Sequence, residues 1–394
     1  MRPRRVLIVH PYGHVGGPDR FVTNLVRCLT IRGWQFWIVL SKERPLAHTL
    51  HRLGVSVVIL PSLQTLPRTF SPFDLARHAL RTRTAVQSAK ALIERHDIGV
   101  VHAVHETMWT LLRGLRDGSI GRVVSVHGLR FASPPWAGWL NTRMLSADAD
   151  RIICVSDVVR HAFLGGHVPP RKLSLVPSSV DLGCFRPGVS GLAFRRELGV
   201  EPETPLIGTV GSVDERKGHS YFLDACAKLH ERCPAARFVI VGHSGSDGPP
   251  AQVEFLRQLR NRAEALALNQ CLSFIPARQD VPEVMAALDI LVQPSLTEAG
   301  PRAPLEAMAM ERPVVGTRIE GTAEEVVDGE TGILVNARDS DALAEAVGTL
   351  LCDPVLRQRM GQAGRGRVER HYSMATTADL IENVYESAVS EHRH

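Results

Sequence analysis

Short, continuously apolar runs alternate with helical segments along this chain, and the pattern occurs twice. In the first half the runs are RVLIVH (5–10), QFWIVL (35–40), VSVVIL (55–60), IGVVHA (98–103), RVVSVH (122–127) and RIICVS (151–156). In the second half they are PLIGTVGS, ARFVIVGH, CLSFIP, LDILVQPS, RPVVGT and TGILVN. Strands that are apolar throughout are buried on both faces, which is typical of parallel sheets covered by helices. The sequence therefore predicts the α/β class, with two doubly wound parallel sheets.

The length of the chain also indicates two domains. A chain of 394 residues is too long for one compact core. The segment VPSSVDLGCFRPGVSGLAF, residues 176–194, is rich in Pro, Gly and Ser and predicts a linker near residues 178–194. Open parallel sheets bind ligands outside the carboxyl ends of their strands, so we expect the functional residues at those ends.

Composition narrows the class of protein. Hydrophobic residues make up 44% and charged residues 22%, as in water-soluble globular proteins, and no apolar run approaches the ~20 residues that cross a bilayer. The basic start MRPRRVLIVHPYG lacks a long apolar region, so we interpret it as a first strand and not a signal peptide. The seven scattered cysteines predict reduced core thiols and a cytoplasmic protein. The net charge of +5 makes nucleic acid a poor candidate and is compatible with an anionic ligand or membrane surface.

Two carboxylates stand out in the segment PSLTEAGPRAPLEAMAMERPVVG, residues 294–316. Glu298 follows an apolar strand in a loop, and Glu306 is expected in the first turn of the helix that Pro304 helps to start. Carboxylates at such a strand–loop–helix corner can face one pocket and hold a polyhydroxylated ligand. The alternative is that Glu298 is a solvated loop residue and Glu306 a surface charge.

Two glycine-containing loops are candidates for phosphate binding. Lys217 and Gly218 precede the helical segment HSYFLDACAKLHERC, and a helix N-terminus binds phosphate through its free N–H groups. Gly16 and Gly17 follow the first strand and allow close approach of backbone to a ligand. The alternatives are a solvated turn lysine and a simple glycine turn.

Several segments resemble, in order and spacing, those of family 4 glycosyltransferases, which have the GT-B fold. They are GGPDRFVTNLVRCLTIRG from residue 16, ADRIICVSDVVRHAF and LSLVPSSVDLGCFRP (149–187), GTVGSVDERKG, RFVIVG, DVPEVMAALDILVQPS, the Glu-x7-Glu corner and EEVVDGETGILV. The resemblance implies two Rossmann-like domains facing a central cleft. It assigns acceptor binding to residues 1–185, nucleotide-sugar binding to 186–373, and a helix crossing back to the N-terminal domain to 374–394.

The resemblance also implies an activity and its partners. The chain is expected to be a retaining, hexosyltransferase-type enzyme that moves a sugar from a nucleotide-diphosphate sugar to an acceptor hydroxyl. The acceptor would be a glycan, a lipid-linked molecule or a small molecule in cell-envelope polysaccharide or glycoconjugate biosynthesis. No cofactor and no essential metal are expected. The expected location is the cytoplasm, with peripheral contact at the inner face of the membrane left open, as is the oligomeric state.

The resemblance assigns roles to single residues. Glu298 and His127 would be catalytic, with Glu298 at the sugar and His127 hydrogen-bonded near the reaction centre. Glu306 would accept hydrogen bonds from the ribose, and the backbone at Ala299 and Gly300 would contact sugar hydroxyls. The remaining residues expected at the donor nucleotide or diphosphate are Gly16, Gly17, Gly211, Ser212, Arg216 and Lys217.

Two positions depart from the family pattern. The family usually has Arg in a G-R-L-x-x-x-K-G segment, where this chain has Ser212, so one of two diphosphate cations is missing; whether the nearby Arg216 compensates is left open. The usual Phe-Gly after the first glutamate is Gly300-Pro301, and Pro301 cannot donate an N–H. Sugar recognition or activity is therefore expected to differ. Two alternatives stay open: a sugar-nucleotide epimerase or phosphorylase of the same fold, and a catalytically weak paralogue that binds a nucleotide sugar.

Two further segments are candidates for contact with a membrane or an acceptor: the basic helix at 74–96 and the aromatic segment from Pro134 to Trp139. The basic helix could lie on an anionic membrane, although a solvated face is the simpler interpretation. The aromatic segment could line an acceptor cleft, touch a membrane interface, or be buried against a neighbouring helix.

Overall fold

The computed structural model describes residues 4–11, 17–65, 72–116, 120–128, 135–245 and 248–391. The chain divides into two compact units, Met1–Ser179 with Met374–His394, and Val180–Ser373. The division after Ser179 lies six residues before the boundary expected at 185/186. No helix in the described part of the chain is long and apolar enough to span a membrane.

The first unit is built on a seven-stranded parallel sheet with the order β3-β2-β1-β4-β5-β6-β7. Its strands are β1 Arg5–His10, β2 Gln35–Leu40, β3 Ser56–Ile59, β4 Val100–Ala103, β5 Gly121–Val126, β6 Arg151–Cys154 and β7 Leu173–Leu175. Its helices are α1 Gly17–Thr30, α2 Pro45–Arg52, α3 Pro72–His96, α4 Trp109–Gly114, α5 Pro135–Asp148, α6 Asp157–Gly165 and α15 Met374–Ser390.

The second unit is built on a six-stranded parallel sheet with the order β10-β9-β8-β11-β12-β13. Its strands are β8 Leu206–Val210, β9 Arg237–His243, β10 Leu272–Pro276, β11 Ile290–Gln293, β12 Val314–Thr317 and β13 Gly332–Val335. Its helices are α7 Leu192–Glu197, α8 His219–Arg232, α9 Pro250–Ala265, α10 Val281–Ala287, α11 Arg302–Ala309, α12 Glu320–Glu325, α13 Ser340–Cys352 and α14 Pro354–His371.

All of the apolar runs identified in the sequence contain strands, so the α/β class with two parallel sheets is confirmed. The central strands are buried on both faces; every residue of β4, β5, β11 and β12 is buried. The strand order reverses between β1 and β4 in one sheet and between β8 and β11 in the other. Such reversals open a crevice at the carboxyl ends of the strands, and they position the candidate sites.

The C-terminal helix α15 belongs to the core of the first unit. Tyr385 is fully buried, and its hydroxyl lies 2.8 Å from Nδ1 of His102 in β4. The indole N–H of Trp34 donates to Glu382 over 3.1 Å. At Gly121, an added Cβ would lie only 2.9 Å from Cβ of Ala388, so β5 and α15 are in direct contact. The unit is therefore closed by residues from the far end of the chain.

The cysteines are all free thiols, but they do not all lie in the core. Cys184 and Cys352 are exposed, so the expectation of core thiols is wrong for these two. Cys154, Cys226 and Cys271 are buried, and burial raises the pKa of the Cys154 thiol to about 12.

Burial of His102 predicts acid sensitivity of the first unit. Desolvation lowers the pKa of His102 from 6.5 to about 3, so the folded unit binds fewer protons than the unfolded chain below about pH 6.5. Stability should be fully present above that pH and fall on acidification, by up to about 1.4 kcal/mol per pH unit for each proton taken up. All five tryptophans belong to this unit, so urea unfolding followed by their fluorescence reports it. His102→Phe should make the profile less steep, because it removes one of several buried histidines of this unit. His48→Gln, at an exposed position, should keep the wild-type profile. A profile of His102→Phe as steep as that of wild type would contradict this.

Candidate functional site

At the strand reversal of the second sheet, the loop after β8 and the loop after β11 are in direct backbone contact. Gly218 has φ +66°, and a Cβ there would lie 1.9 Å from the carbonyl oxygen of Pro294, so only glycine fits. The N–H of Leu296 donates to the carbonyl of Arg216 over 2.7 Å. These contacts bring the lysine of the first loop to the glutamate of the second.

Glu298 lies at the centre of a compact polar cluster. Its Oε1 accepts from Lys217 Nζ at 2.6 Å, Ser295 Oγ at 2.7 Å and Gln293 Nε2 at 3.0 Å. The side chain is 9% exposed, so the interpretation of Glu298 as a solvated loop residue is wrong. Charge-assisted hydrogen bonds of this kind fix both the position and the orientation of a carboxylate. The neighbouring Ala299 is half-buried.

Glu306 is buried beside an arginine. Helix α11 begins at Arg302, two residues earlier than Pro304 suggested, so Glu306 lies beyond the first turn and that expectation is wrong. Its side chain is 3% exposed, and Oε1 lies 3.2 Å from Arg302 Nη2 one turn earlier. Glu306 is therefore not a surface charge. Pro301 precedes the helix without a side-chain cap, and Gly300 is half-buried.

A third carboxyl group, Glu325, was not identified from the sequence. It ends helix α12 and is 4% exposed. Gly321 of the same helix packs against the backbone of Glu298, where an added Cβ would lie 2.5 Å from the carbonyl oxygen. Burial, followed by the charge of Glu298, raises the pKa of Glu325 well above its usual range and favours the protonated form. The segment EEVVDGETGILV, which resembles a segment of family 4 glycosyltransferases and contains Glu325, could have indicated this residue.

The glycine loop after β8 separates its polar residues into two groups. Lys217 passes beside Gly211, with Nζ 4.0 Å from where a Cβ would lie. Ser212 Oγ and Arg216 Nη2 instead donate to Asp214 Oδ2 over 3.0 and 3.1 Å. Arg216 is also 45% exposed. The loop thus presents one cation to Glu298 and holds the other on Asp214.

The first unit holds the other predicted residues. His127 follows β5, with Nε2 2.9 Å from Ser125 Oγ and the Phe21 ring edge-on at 4.7 Å. Burial lowers the pKa of His127 to about 3, helped by nearby histidines including His102, so the imidazole is neutral at pH 7. Gly17 is exposed at the start of α1, and Gly16 lies outside the described residues.

Further polar residues lie at this edge of the first sheet, among them His10, one of several histidines at strand ends to which the sequence assigns no role. His10 Nε2 lies 2.7 Å from Asp19 Oδ1, and Arg44 Nη1 forms an ion pair with the same oxygen at 3.2 Å. All three residues are buried. Burial raises the pKa of Glu106 to about 7. Among the described residues, no group of three or more His, Cys, Asp or Glu side chains is arranged to hold a metal ion.

The basic helix and the aromatic segment are described only in part. Residues 129–134 lie outside the described residues, and Trp139 is 60% exposed in α5. On α3, the exposed side chains include Arg77 and Arg83 together with Phe73 and Leu80. The structure thus places both basic and apolar side chains at the surface of this helix.

Comparison with known proteins gives the family. The model described as "Glycosyltransferase Family 4" matches residues 15–183, and the model "Glycosyl transferases group 1" matches 192–367. The D-inositol 3-phosphate glycosyltransferase of Corynebacterium efficiens is 32% identical, over 96% of this chain and 92% of the relative. The GDP-mannose-dependent alpha-(1-6)-phosphatidylinositol monomannoside mannosyltransferase of Mycolicibacterium smegmatis is 32% identical, over 75% and 79%.

Solved structures agree in fold. Anabaena Alr3699/HepE in complex with UDP superposes with a TM-score of 0.81 at 19% identity, over 97% of this chain and all of that one. A glycosyltransferase from Rickettsia africae has a TM-score of 0.84 at 19% identity, over 99% of both chains. The chain is a glycosyltransferase with the GT-B fold and belongs to family 4, the group 1 glycosyl transferases.

Proposed function

We propose that this enzyme is a retaining glycosyltransferase whose donor is a nucleotide-diphosphate sugar. The observation that carries the proposal is the Lys217–Glu298 pair at the strand reversal of the second sheet, 2.6 Å between Nζ and Oε1. A cation suits a leaving diphosphate, and a fixed carboxylate suits a sugar whose anomeric carbon becomes positive. The names of similar proteins agree in kind, since one relative is GDP-mannose-dependent and the Anabaena structure contains UDP.

Each group has a distinct role in the reaction. The bond between the anomeric carbon and the diphosphate oxygen breaks, and Lys217 stabilises the negative charge that stays on the diphosphate. The acceptor oxygen bonds to the anomeric carbon on the face from which the diphosphate leaves, and a phosphate oxygen takes the acceptor proton. Glu298 stabilises the oxocarbenium-like sugar, and Glu306 accepts hydrogen bonds from the ribose. His127, whose imidazole is neutral at pH 7, stays the second residue predicted to act in catalysis.

Glu298 could instead act as a nucleophile in a double displacement. Apart from Lys217, its Oε1 accepts hydrogen bonds from Ser295 and Gln293, which lowers the nucleophilicity of that oxygen. This favours the electrostatic role.

The function is tested by incubating the protein with UDP- and GDP-linked hexoses and D-inositol 3-phosphate, the acceptor class in the name of one relative. Transfer with the anomeric configuration of the donor, measured by NMR of the product, is expected. A donor sugar isomerised without acceptor would indicate an epimerase instead. Tight nucleotide binding with neither transfer nor donor hydrolysis would indicate the weak paralogue.

Lys217→Ala should weaken nucleoside diphosphate binding. A hydrogen bond to a charged group contributes roughly 1.5–3 kcal/mol, so a loss of about tenfold or more is expected. Ser212→Arg should strengthen binding by restoring a cation in this loop. Isothermal titration with UDP and GDP measures both, with Lys228→Ala as control; Lys228 is a half-buried lysine of α8 that pairs with Asp341. Unchanged affinity in both site variants would mean that the phosphates bind elsewhere.

A further inference from the structure

Arg302 lies close to both glutamates of the proposed donor site. It begins α11, directly after the loop that holds Glu298, and its side chain is 16% exposed. Nη2 lies 3.2 Å from Oε1 of Glu306, which is 3% exposed. An arginine withdrawn from water beside a buried carboxylate has a different environment from an ordinary surface ion pair.

The two cations of this corner are each paired with a carboxylate of the protein. Lys217 is held on Glu298, and Arg302 is held on Glu306. Glu325 favours its protonated form, and both cations act on its pKa, which places them within electrostatic reach of one buried carboxyl group. A diphosphate brings at least two negative charges, so its binding requires the cations to leave the carboxylates or to be shared with them.

The polar residues of the glycine loop after β8 do not supply a free second cation, because they contact Asp214. Ser212 has no charge, and its hydroxyl donates to Asp214 Oδ2. Arg216 is paired with the same oxygen and is largely exposed. Arg302, unlike Arg216, has its guanidinium beside Glu306, a residue predicted to bind the donor.

We propose that Arg302 is the second cation of the donor diphosphate site and is exchanged from Glu306 to the phosphates when the donor binds. This inference rests on the donor site proposed above. Ribose hydroxyls would take the place of the guanidinium on Glu306, and sugar hydroxyls would take the place of Lys217 on Glu298. Both carboxylates and both cations then keep a partner in the bound state.

The chemistry of arginine suits this exchange. A guanidinium donates two parallel hydrogen bonds to a carboxylate or to a phosphate with similar geometry. The N-terminus of α11, which has no side-chain cap, adds backbone N–H groups that favour an anion at the same place. Arg302 and the N-terminus of α11 would therefore favour binding of a nucleoside diphosphate over that of a nucleoside.

Binding of UDP, GDP and ADP, and of uridine, guanosine and adenosine, tests the inference in wild type, Arg302→Leu and Arg302→Lys. Calorimetry suits the diphosphates and NMR titration the nucleosides. Arg302→Leu should weaken the preferred diphosphate by about tenfold or more. It should leave the matching nucleoside unchanged or slightly tighter, because Glu306 is released for the ribose. Arg302→Lys should lie between, since lysine keeps the charge without the fork.

A double-mutant cycle sharpens the test. Ser212→Arg should recover more affinity in the Arg302→Leu background than it adds to wild type, because both changes act on the same phosphates. Arg262→Leu is the matched control: Arg262 pairs with Asp224 and lies near the end of α9, which leads into the amino end of β10. It should bind the diphosphate as wild type does.

The outcomes separate this inference from the proposed function. Wild type that binds none of the three diphosphates contradicts the donor site itself. Wild-type affinity in Arg302→Leu, together with weakened binding in Lys217→Ala, overturns the role of Arg302 and leaves the donor site standing. Equal loss for diphosphate and nucleoside makes Arg302 structural and overturns it too. If Arg302→Leu does not fold, Arg302→Lys decides, and wild-type affinity there counts against the inference.

Discussion

Glu298→Gln is expected to lower turnover by about a hundredfold or more while nucleoside diphosphate affinity stays the same or rises. Glutamine keeps the shape of the side chain and removes the charge that is proposed to stabilise the sugar as its bond to the diphosphate breaks. Since that positive charge is absent from the ground state, the loss should appear in kcat. Lys217, which Glu298 holds at 2.6 Å, is at the same time released for the phosphates.

The measurement is steady-state transfer with varied donor, combined with calorimetric binding of UDP and GDP. Glu320→Gln provides the control, because Glu320 is exposed at the start of α12 and should retain wild-type turnover. A variant that loses nucleotide affinity and keeps kcat would show that Glu298 binds the nucleotide and would reverse the roles of the two glutamates.

Glu306→Ala is expected to raise the donor KM by about tenfold or more with kcat largely kept. The ribose is remote from the breaking bond, so its contacts stabilise ground and transition states equally. Release of Arg302 should offset part of the loss for ligands with phosphates. Uridine or guanosine, which lack phosphates, should therefore lose the larger fraction of their affinity.

The test compares nucleoside and nucleoside diphosphate binding to Glu306→Ala, with Glu306→Gln as a second variant of similar volume. Glu330→Ala, at an exposed position, is the control. If nucleoside affinity survives in both Glu306 variants, Glu306 does not contact the ribose. If neither Glu298 nor Glu306 affects binding or rate, the Glu-x7-Glu corner is structural.

The sequence predicts the sheets well because continuous apolar runs are local signals of strands buried on both faces. The strand missed, β7, has only three residues, all half-buried, and follows two prolines and a basic pair. The start of α11 was misplaced because Pro304 is acceptable anywhere in a first turn, so its presence does not fix the first residue.

The sequence predicts several residues of the candidate site, but not which of them contact each other. Lys217 and Glu298 meet because Gly218 lets one loop press against Pro294 of another, and a contact between distant segments leaves no local pattern. The burial of Glu325 has the same origin, since Gly321 must pack on the Glu298 backbone. The pair of Arg302 and Glu306 was not predicted, because the helix was expected to begin near Pro304. In the structure it begins at Arg302, which places the two side chains one turn apart.

The contribution of α15 to the first unit has a consequence for how the protein is made. Residues 4–179 leave the ribosome long before 374–390, which supply Ile381, Val384 and the buried Tyr385 to their core. The second unit, Val180–Ser373, is by contrast continuous in sequence and contains everything its own core needs. During synthesis, the first unit therefore keeps an apolar face exposed until α15 has been made. The second unit, although it is synthesised later, can fold before the first unit is complete.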